Sequence, residues 1–244
     1  MSKAKIHYLY HDGFAVETKN FFLIFDYYNN RPQNSDATLE NGVIDITSIK
    51  SKKNIYVFVS HAHHDHFNDV IFSWSNINPH IKYIMSCDVP LRDYKSNYYF
   101  IFANKELIFQ GIKIKTFGST DIGVSFFIDV DGLTIFHAGD LNWWHWKHTC
   151  IENQETMELN FKKEVWKIAE ENINIAFFPT DPRLEEFSHI GGEYFIRKVR
   201  PNLFIPMHFW DDYSMPQKFY NKVKNDKTNI AKISKRGEVI EFKY

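Results

Sequence analysis

The sequence predicts an α/β protein in which two sheets pack face to face with helices outside. Three observations carry that expectation. The first half is dense in short β-patterned runs separated by turn residues, and the second half alternates helix- and strand-patterned segments. The side chains with the most chemical capacity fall at the ends of several predicted strands, where α/β architectures gather their sites.

Taken in order, "KIHYLYH" (5–11), "FAVET" (14–18) and "FFLIFDYY" (21–28) read as strands, with Asp12-Gly13 turning the chain between the first two. "NIYVFVS" (54–60) is almost unbroken in its apolar character, which predicts a strand buried on both faces. A short helix is expected over 67–78. Strands follow at 82–86, 106–110, 112–118, 124–130 and 133–139, with Gln110-Gly111 and Asp131-Gly132 marking hairpin turns. Residues 154–172 place Met157, Phe161, Val165, Ile168 and Ala169 at helical spacing with charges between them. A strand at 173–179, a helix at 191–199, a strand at 202–208, a helix near 216–224 and a closing strand at 237–244 complete the reading. No Pro/Gly/Ser-rich linker or repeat divides the chain, so residues 1–244 are expected to form one domain.

The balance of 29 basic against 30 acidic residues gives no long-range field for a nucleic-acid or membrane partner. The stretch "IKSKKN" (49–54) reads as a solvated loop. Cys87 and Cys150 form neither a disulfide framework nor a zinc ribbon, which points to a reducing compartment. The N-terminal "MSKAKIHYLYHDG" lacks a signal-peptide apolar region, and "FFLIF" stops at Asp26, far short of the roughly 20 residues that span a bilayer. A cytoplasmic location is the expectation.

The most specific stretch is "SHAHHDHFND" (60–69), with four histidines and two aspartates in ten positions. Histidines one residue apart, His61 and His63, can turn both imidazoles to one side of an extended segment. Asp65 and His66 lie across the turn and can serve a second ion. Mixed imidazole and carboxylate donors suit zinc, with manganese or iron as alternatives. Asp140 in "FHAGD", His208 in "IPMH", and Thr120 with Asp121 in "FGSTD" close other strands.

"HAHHDH" resembles the HxHxDH signature of the metallo-β-lactamase superfamily, "HAGD" its later bridging aspartate, and "IPMH" its last metal histidine. The openings "YHDGFAVET" and "LIFDYY" and the segment "DGLTIFHAGD" are similar to the branch of small hydrolases around ascorbate-6-phosphate lactonase. The resemblance runs from the N-terminal strands to residue 208. It implies a four-layered αββα sandwich with a binuclear site along one edge of two mixed sheets. His61 and His63 would hold the first ion, and Asp65, His66 and His208 the second. Asp140 would bridge them. The superfamily's further first-site histidine is missing, since that place reads "GSTDIG". Asp121 would replace it, or His145 or His189 would reach in, or the first site is weak.

An ion of this kind lowers the pKa of its bound water to about 7, so a metal-bound hydroxide becomes available at neutral pH. Asp65 would orient it or shuttle a proton in addition to its ligand role. The expected protein is a metal hydrolase of a small ester, lactone, amide or phosphodiester. An RNA-processing nuclease of the same superfamily ranks lower because no basic surface is visible, and a binding or sensing protein with an impaired first site is the third reading. In "DLNWWHW" (140–146), Trp143 and its neighbours would form either a substrate wall or core filling. Arg183 would hold an anionic group or pair with Asp181, Glu185 or Glu186. His64 and Asp69 read as bystanders, His11 as a turn residue at the site entrance or the surface, and His137 as a packed histidine that orients a ligand ring.

Overall fold

The computed structural model describes residues 2–33, 36–91, 93–223 and 227–244. The chain opens with an antiparallel meander of β1 (Lys3–Tyr10), β2 (Gly13–Glu17) and β3 (Phe22–Phe25). Helix α1 (Ile46–Ser51) leads into β4 (Ile55–Val59), and β5 (Lys82–Ser86) and β6 (Tyr98–Ile101) extend the sheet in parallel. A second meander follows, from β7 (Glu106–Phe109) and β8 (Ile112–Phe117) to β9 (Ser125–Val130) and β10 (Leu133–His137). Helix α2 (Ile151–Ile168), β11 (Ile175–Pro179), α3 (Ile190–Val199), β12 (Leu203–Met207), α4 (Met215–Lys222) and β13 (Asn229–Ile230) complete a parallel set beside it. Finally β14 (Val239–Lys243) returns to pair antiparallel with β1.

The result is two seven-stranded mixed sheets, ordered β14-β1-β2-β3-β4-β5-β6 and β13-β12-β11-β10-β9-β8-β7. They face each other through an aromatic core in which the Phe14 and Phe177 rings lie 4.3 Å apart and those of Phe58 and Phe126 5.3 Å apart. Strand β4 shows why its sequence is apolar throughout. Tyr56 and Phe58 enter the core between the sheets, while Ile55, Val57 and Val59 pack outward with Ile49 of α1 and with Ile71 and Trp74 of a short 3₁₀ helix (Asp69–Asn76). On the far side, Phe161 and Val165 of α2, Phe195 of α3 and Phe219 of α4 cover the second sheet. Helix, sheet, sheet and helix make four layers, as expected.

The Asp131-Gly132 hairpin takes left-handed dihedrals at both positions (φ 52° and 76°), the geometry such a two-residue turn requires. Helix α1, β6 and β13 have no counterpart in the sequence reading. The first was signalled by Asp45, whose side chain accepts a hydrogen bond from Ser48 N at 2.6 Å as an N-cap. Helix α2 starts three residues before its predicted position. The last residue of the helix expected near 216–224 lies outside the described residues. Among the described residues no helix is long and apolar enough to cross a membrane.

One end of the sandwich is stitched across the two sheets. Val124 N donates to Ser60 O at 3.0 Å, and His208 N donates to His11 O at 3.3 Å. Every chemically distinctive strand end lies at this edge.

Candidate metal centre

The turn between β1 and β2 contributes His11 and Asp12, the end of β3 Asp26, and the end of β4 Ser60 and the histidine string. From the other sheet, the β8–β9 connection brings Asp121, and the segments after β10, β11 and β12 bring Asp140, Asp181 and His208. Two glycines permit the approach. A Cβ on Gly123 would lie 2.1 Å from Ser60 O, and one on Gly139 2.8 Å from Ser60 Cβ, so any other residue would push the Asp121 and Asp140 loops off the histidine string. Non-glycine residues also take left-handed backbone here: His11 (φ 55°), Asp26 (40°) and His208 (63°). Such residues cost about 1–3 kcal/mol each and persist where the surrounding structure over-determines them.

The donor atoms fall into three overlapping groups, two of which share Asp140. His61, His63, Asp121 and Asp140 bring one ligand atom each to within 4.8 Å of one another; on the other side Asp12, His66, Asp140 and His208 do so, and His11 and Asp65 form a further set with His66 and His208. Asp140 turns Oδ2 toward His61 Nε2 (3.5 Å) and Oδ1 toward His66 Nε2 (3.2 Å) and His208 Nε2 (3.3 Å). Asp121 stands where the expected histidine is missing, its Oδ2 3.6 Å from His63 Nδ1.

Hydrogen bonds behind the rings fix which nitrogen faces inward. His66 Nδ1 donates to Asp26 Oδ2 at 2.8 Å, and His208 Nδ1 donates to Asp181 Oδ2 at 2.9 Å. Ser60 Oγ gives its proton to Asp26 Oδ2 (2.6 Å) and so accepts from His61 Nδ1 (3.0 Å). Each ring therefore keeps a proton on Nδ1 and turns Nε2 into the cluster, the nitrogen whose lone pair an ion would take. Those three Nε2 atoms and Asp140 Oδ1 are buried without a hydrogen-bond partner among the described residues. Buried polar atoms left unpaired cost free energy, and a divalent cation would satisfy all of them at once. The residues present fit two such ions.

The electrostatics point the same way. Burial opposes charge on His208, but Asp12, Asp140 and Asp181 outweigh it and raise its pKa to about 10. His66 is likewise raised, with Asp140 and Asp12 overcoming burial. Burial would raise Asp140, yet the two imidazoliums hold it well below the carboxylate range. Without a cation from outside, these histidines must supply the positive charge. Burial, aided by His66, lowers His61 to about 4. Asp121 is raised by burial and by the neighbouring Asp140 charge.

A cavity of about 430 Å³ opens onto the cluster, lined by His63, Asp65, Asp121, Trp144, Trp146 and Arg183 among others. Trp144 and Trp146 stack in parallel with centroids 5.8 Å apart, and the Arg183 guanidinium sits 5.7 Å over Trp146. Arg183 Nε and Nη2 both donate to Asp181, the carboxylate that orients His208. Of the residues singled out in the sequence, His61, His63, Asp65, His66, Asp121, Asp140 and His208 come together. Trp143 does not line the cavity; it packs on Phe161 and Tyr194. His145 lies against Phe187 with centroids 4.3 Å apart, and His189 faces Glu193 at 3.7 Å. Neither belongs to a donor group. His64 points to solvent. His137 is buried and donates from Nε2 to Asp12 O at 2.9 Å.

The sequence pattern does not single out Asp12, Asp26 or Ser60 as site residues, and offers Asp181 only as an ion-pair partner. Asp26 had a visible signal, a charged residue ending an otherwise apolar strand. Asp12 reads as part of the Asp-Gly turn, a role that explains the glycine but not a buried carboxylate.

No protein-family model matches the sequence, and no curated protein matches it. Solved structures do. The chain is similar over 99% of its length, and 99% of the other chain, to Igni18, a metallo hydrolase from the archaeon Ignicoccus hospitalis, at 19% identity and a TM-score of 0.71. It is similar over 99% of its length to all of YhfI, a metallo-β-lactamase fold protein from Bacillus subtilis, at 14% identity and a TM-score of 0.62. It also covers 54% of CmlA, a diiron β-hydroxylase from Streptomyces venezuelae, at 9% identity and a TM-score of 0.63. Two mixed sheets in four layers, a donor cluster at their stitched edge and these likenesses together identify the fold of this chain as that of the metallo-β-lactamases.

Proposed function

We propose that the protein is a metal-dependent hydrolase that holds two divalent ions and cleaves a small ester, lactone or phosphodiester. The observation that carries this reading is the convergence of buried, unpartnered donor atoms on either side of Asp140. His61, His63 and Asp121 would hold the first ion, Asp65, His66 and His208 the second, and Asp140 both. Zinc is the first choice for this donor set, with manganese or iron as alternatives. When bound, the ions supply an acidified water and a Lewis acid for the substrate oxygen.

The chain's own residues supply the rest. Burial works against ionisation of Asp65, but contact with His11 and the His66 charge hold its carboxylate well below the usual range. It faces the cavity as an anion, able to accept a hydrogen bond from the attacking water and orient it. Asp26 and Asp181 hold the Nδ1 protons of His66 and His208, which fixes both rings, aims Nε2 inward and makes that nitrogen a more basic donor to an ion. The Trp144–Trp146 wall excludes water from one side and offers an apolar surface to the body of the substrate. Arg183 lines the cavity with only Nε and Nη2 committed to Asp181, and its charge there favours a substrate bearing a carboxylate or phosphate.

Metal analysis of purified protein, followed by a panel of lactones, carboxylic esters, phosphodiesters and RNA, tests this reading. Close to two transition-metal ions per chain and chelator-sensitive hydrolysis of a small anionic substrate are expected. Absence of bound metal after loading with zinc, manganese and iron would refute it, and preferential cleavage of RNA would move it to the nuclease alternative.

A further inference from the structure

The buried carboxylate of Asp12 has no part in the donor pattern implied by the histidine motif. It is fully buried, and neither oxygen has a hydrogen-bond partner among the described residues. Its Oδ2 lies 3.4 Å from His66 Nε2 and 3.7 Å from His208 Nε2, and the three group with Asp140 as a candidate metal set. Donors bound to one ion at about 2.1 Å lie roughly 3.0–3.5 Å from one another, so these separations are near those of a shared coordination sphere. The adjacent backbone is held in place for it: His137 donates from Nε2 to the Asp12 carbonyl at 2.9 Å, and His11 takes a left-handed conformation (φ 55°) to turn the chain.

His11 itself is the rival for that position, and its hydrogen bonding argues against it. Trp210 N donates to His11 Nδ1 at 3.2 Å, which leaves the neutral ring's proton on Nε2. That nitrogen has no lone pair to give an ion. It lies 3.1 Å from Asp12 Oδ2 and 3.7 Å from Asp65 Oδ2 without an aligned hydrogen bond to either, so the ring supports both carboxylates electrostatically and leaves Asp12 Oδ2 open to an ion.

Resting on the two-ion reading above, we propose that Asp12 is a fifth protein donor to the second ion, making that centre selective for five- or six-coordinate manganese(II) or iron(II) over four-coordinate zinc. Three carboxylates (Asp12, Asp65 and Asp140) and two imidazoles (His66 and His208) form a harder and more crowded set than the His61, His63, Asp121 and Asp140 group.

The test uses the full-length protein stripped by chelator and reloaded with cobalt(II), together with manganese-against-zinc competition read by metal analysis. Wild type is expected to bind two cobalt ions, one of them with the weak visible absorption of a high-coordinate site. Asp12→Asn should convert that ion to the intense bands of four-coordination and lower manganese affinity at one site by on the order of tenfold to a hundredfold. The ion-free variant should melt no lower than ion-free wild type, because the amide matches the buried carboxyl in size and shape and removes no hydrogen bond. An unchanged cobalt spectrum and manganese affinity in Asp12→Asn, with two ions in wild type, would overturn the Asp12 assignment alone. A lower melting temperature of the ion-free variant would also overturn it, marking Asp12 as structural. Wild type that binds no metal at all would instead refute the hydrolase reading.

Discussion

The two halves of the donor cluster differ in how firmly the protein holds them. On the second-ion side, His66 and His208 are buried, each ring is braced by its own carboxylate, and the backbone of His208 bonds across to the opposite sheet. On the first-ion side, His61 is buried and braced through Ser60, but the side chains of His63 and Asp121 are each 43% exposed and line the cavity. One half is preformed; the other faces the cavity and solvent. The difference predicts an order of affinity, with the second ion bound tightly and the first exchangeable, and it separates residues that build the site from those that meet the substrate.

The severest way to break this comparison is to remove what both halves share. Asp140→Ala should lose both ions on metal analysis, and with several kcal/mol of charge stabilisation gone, hydrolysis should fall on the order of a thousandfold. Retention of two ions would show that Asp140 does not bridge. Next, Asp181→Asn leaves every inward donor in place but removes the carboxylate behind His208. Affinity for the tighter ion should drop about 10- to 100-fold in calorimetric titration, with the weaker ion unaffected. Asp121→Ala should do the reverse, yielding protein with one tightly held ion, and Asp121→His should restore the second. If Asp121→Ala still holds two ions, the carboxylate is not the replacement for the missing histidine.

The smallest effect is one of pH. Folding raises His208 from 6.5 to about 10 and Asp12, through burial, from 3.8 to about 8. Above pH 6.5 the folded ion-free chain thus holds more protons than the unfolded chain, and stability is lost as pH rises. His61 and His11, lowered by burial to about 4 and about 3, act in the opposite sense as pH falls below 6.5. Melting curves in chelator should therefore peak near about pH 6.5 and decline by pH 9, while the metal-loaded protein, its donors already deprotonated, should show no such decline. An ion-free melting temperature that climbs from pH 6.5 to 9 would contradict the buried charge pattern.

The contrast between the halves also separates what sequence could and could not reveal. The four-layer fold was legible because β4 is apolar on both faces and α2 has a clear helical stripe, signals that come from burial itself. The donors in "HAHHDH" were legible because they are local. Asp26, Asp181 and Asp12 were not, since an aspartate at a strand end or in an Asp-Gly turn looks alike whether it meets water or an imidazole. What distinguishes Asp26 is a partner 40 residues away. Trp143 shows the same limit from the other side: three tryptophans in four residues cannot be sorted into wall and core until the loop direction is known, and it is Trp144 and Trp146 that line the cavity.

The pairing of β14 with β1 and the reach of Arg236 bear on the order of synthesis. Arg236 is buried and donates from Nε to Leu9 O at 2.6 Å and from Nη2 to Asn29 O at 2.6 Å, clamping the strand that leads into His11 and Asp12. A nascent chain that has emerged only to residue 200 already displays the whole histidine string and Asp140, yet lacks His208, Arg236 and β14. An ion captured then would meet an incomplete set of the proposed donors and should stay exchangeable. Tight binding at the proposed second site would therefore have to wait for β12 and for the Arg236 clamp on the His11–Asp12 turn.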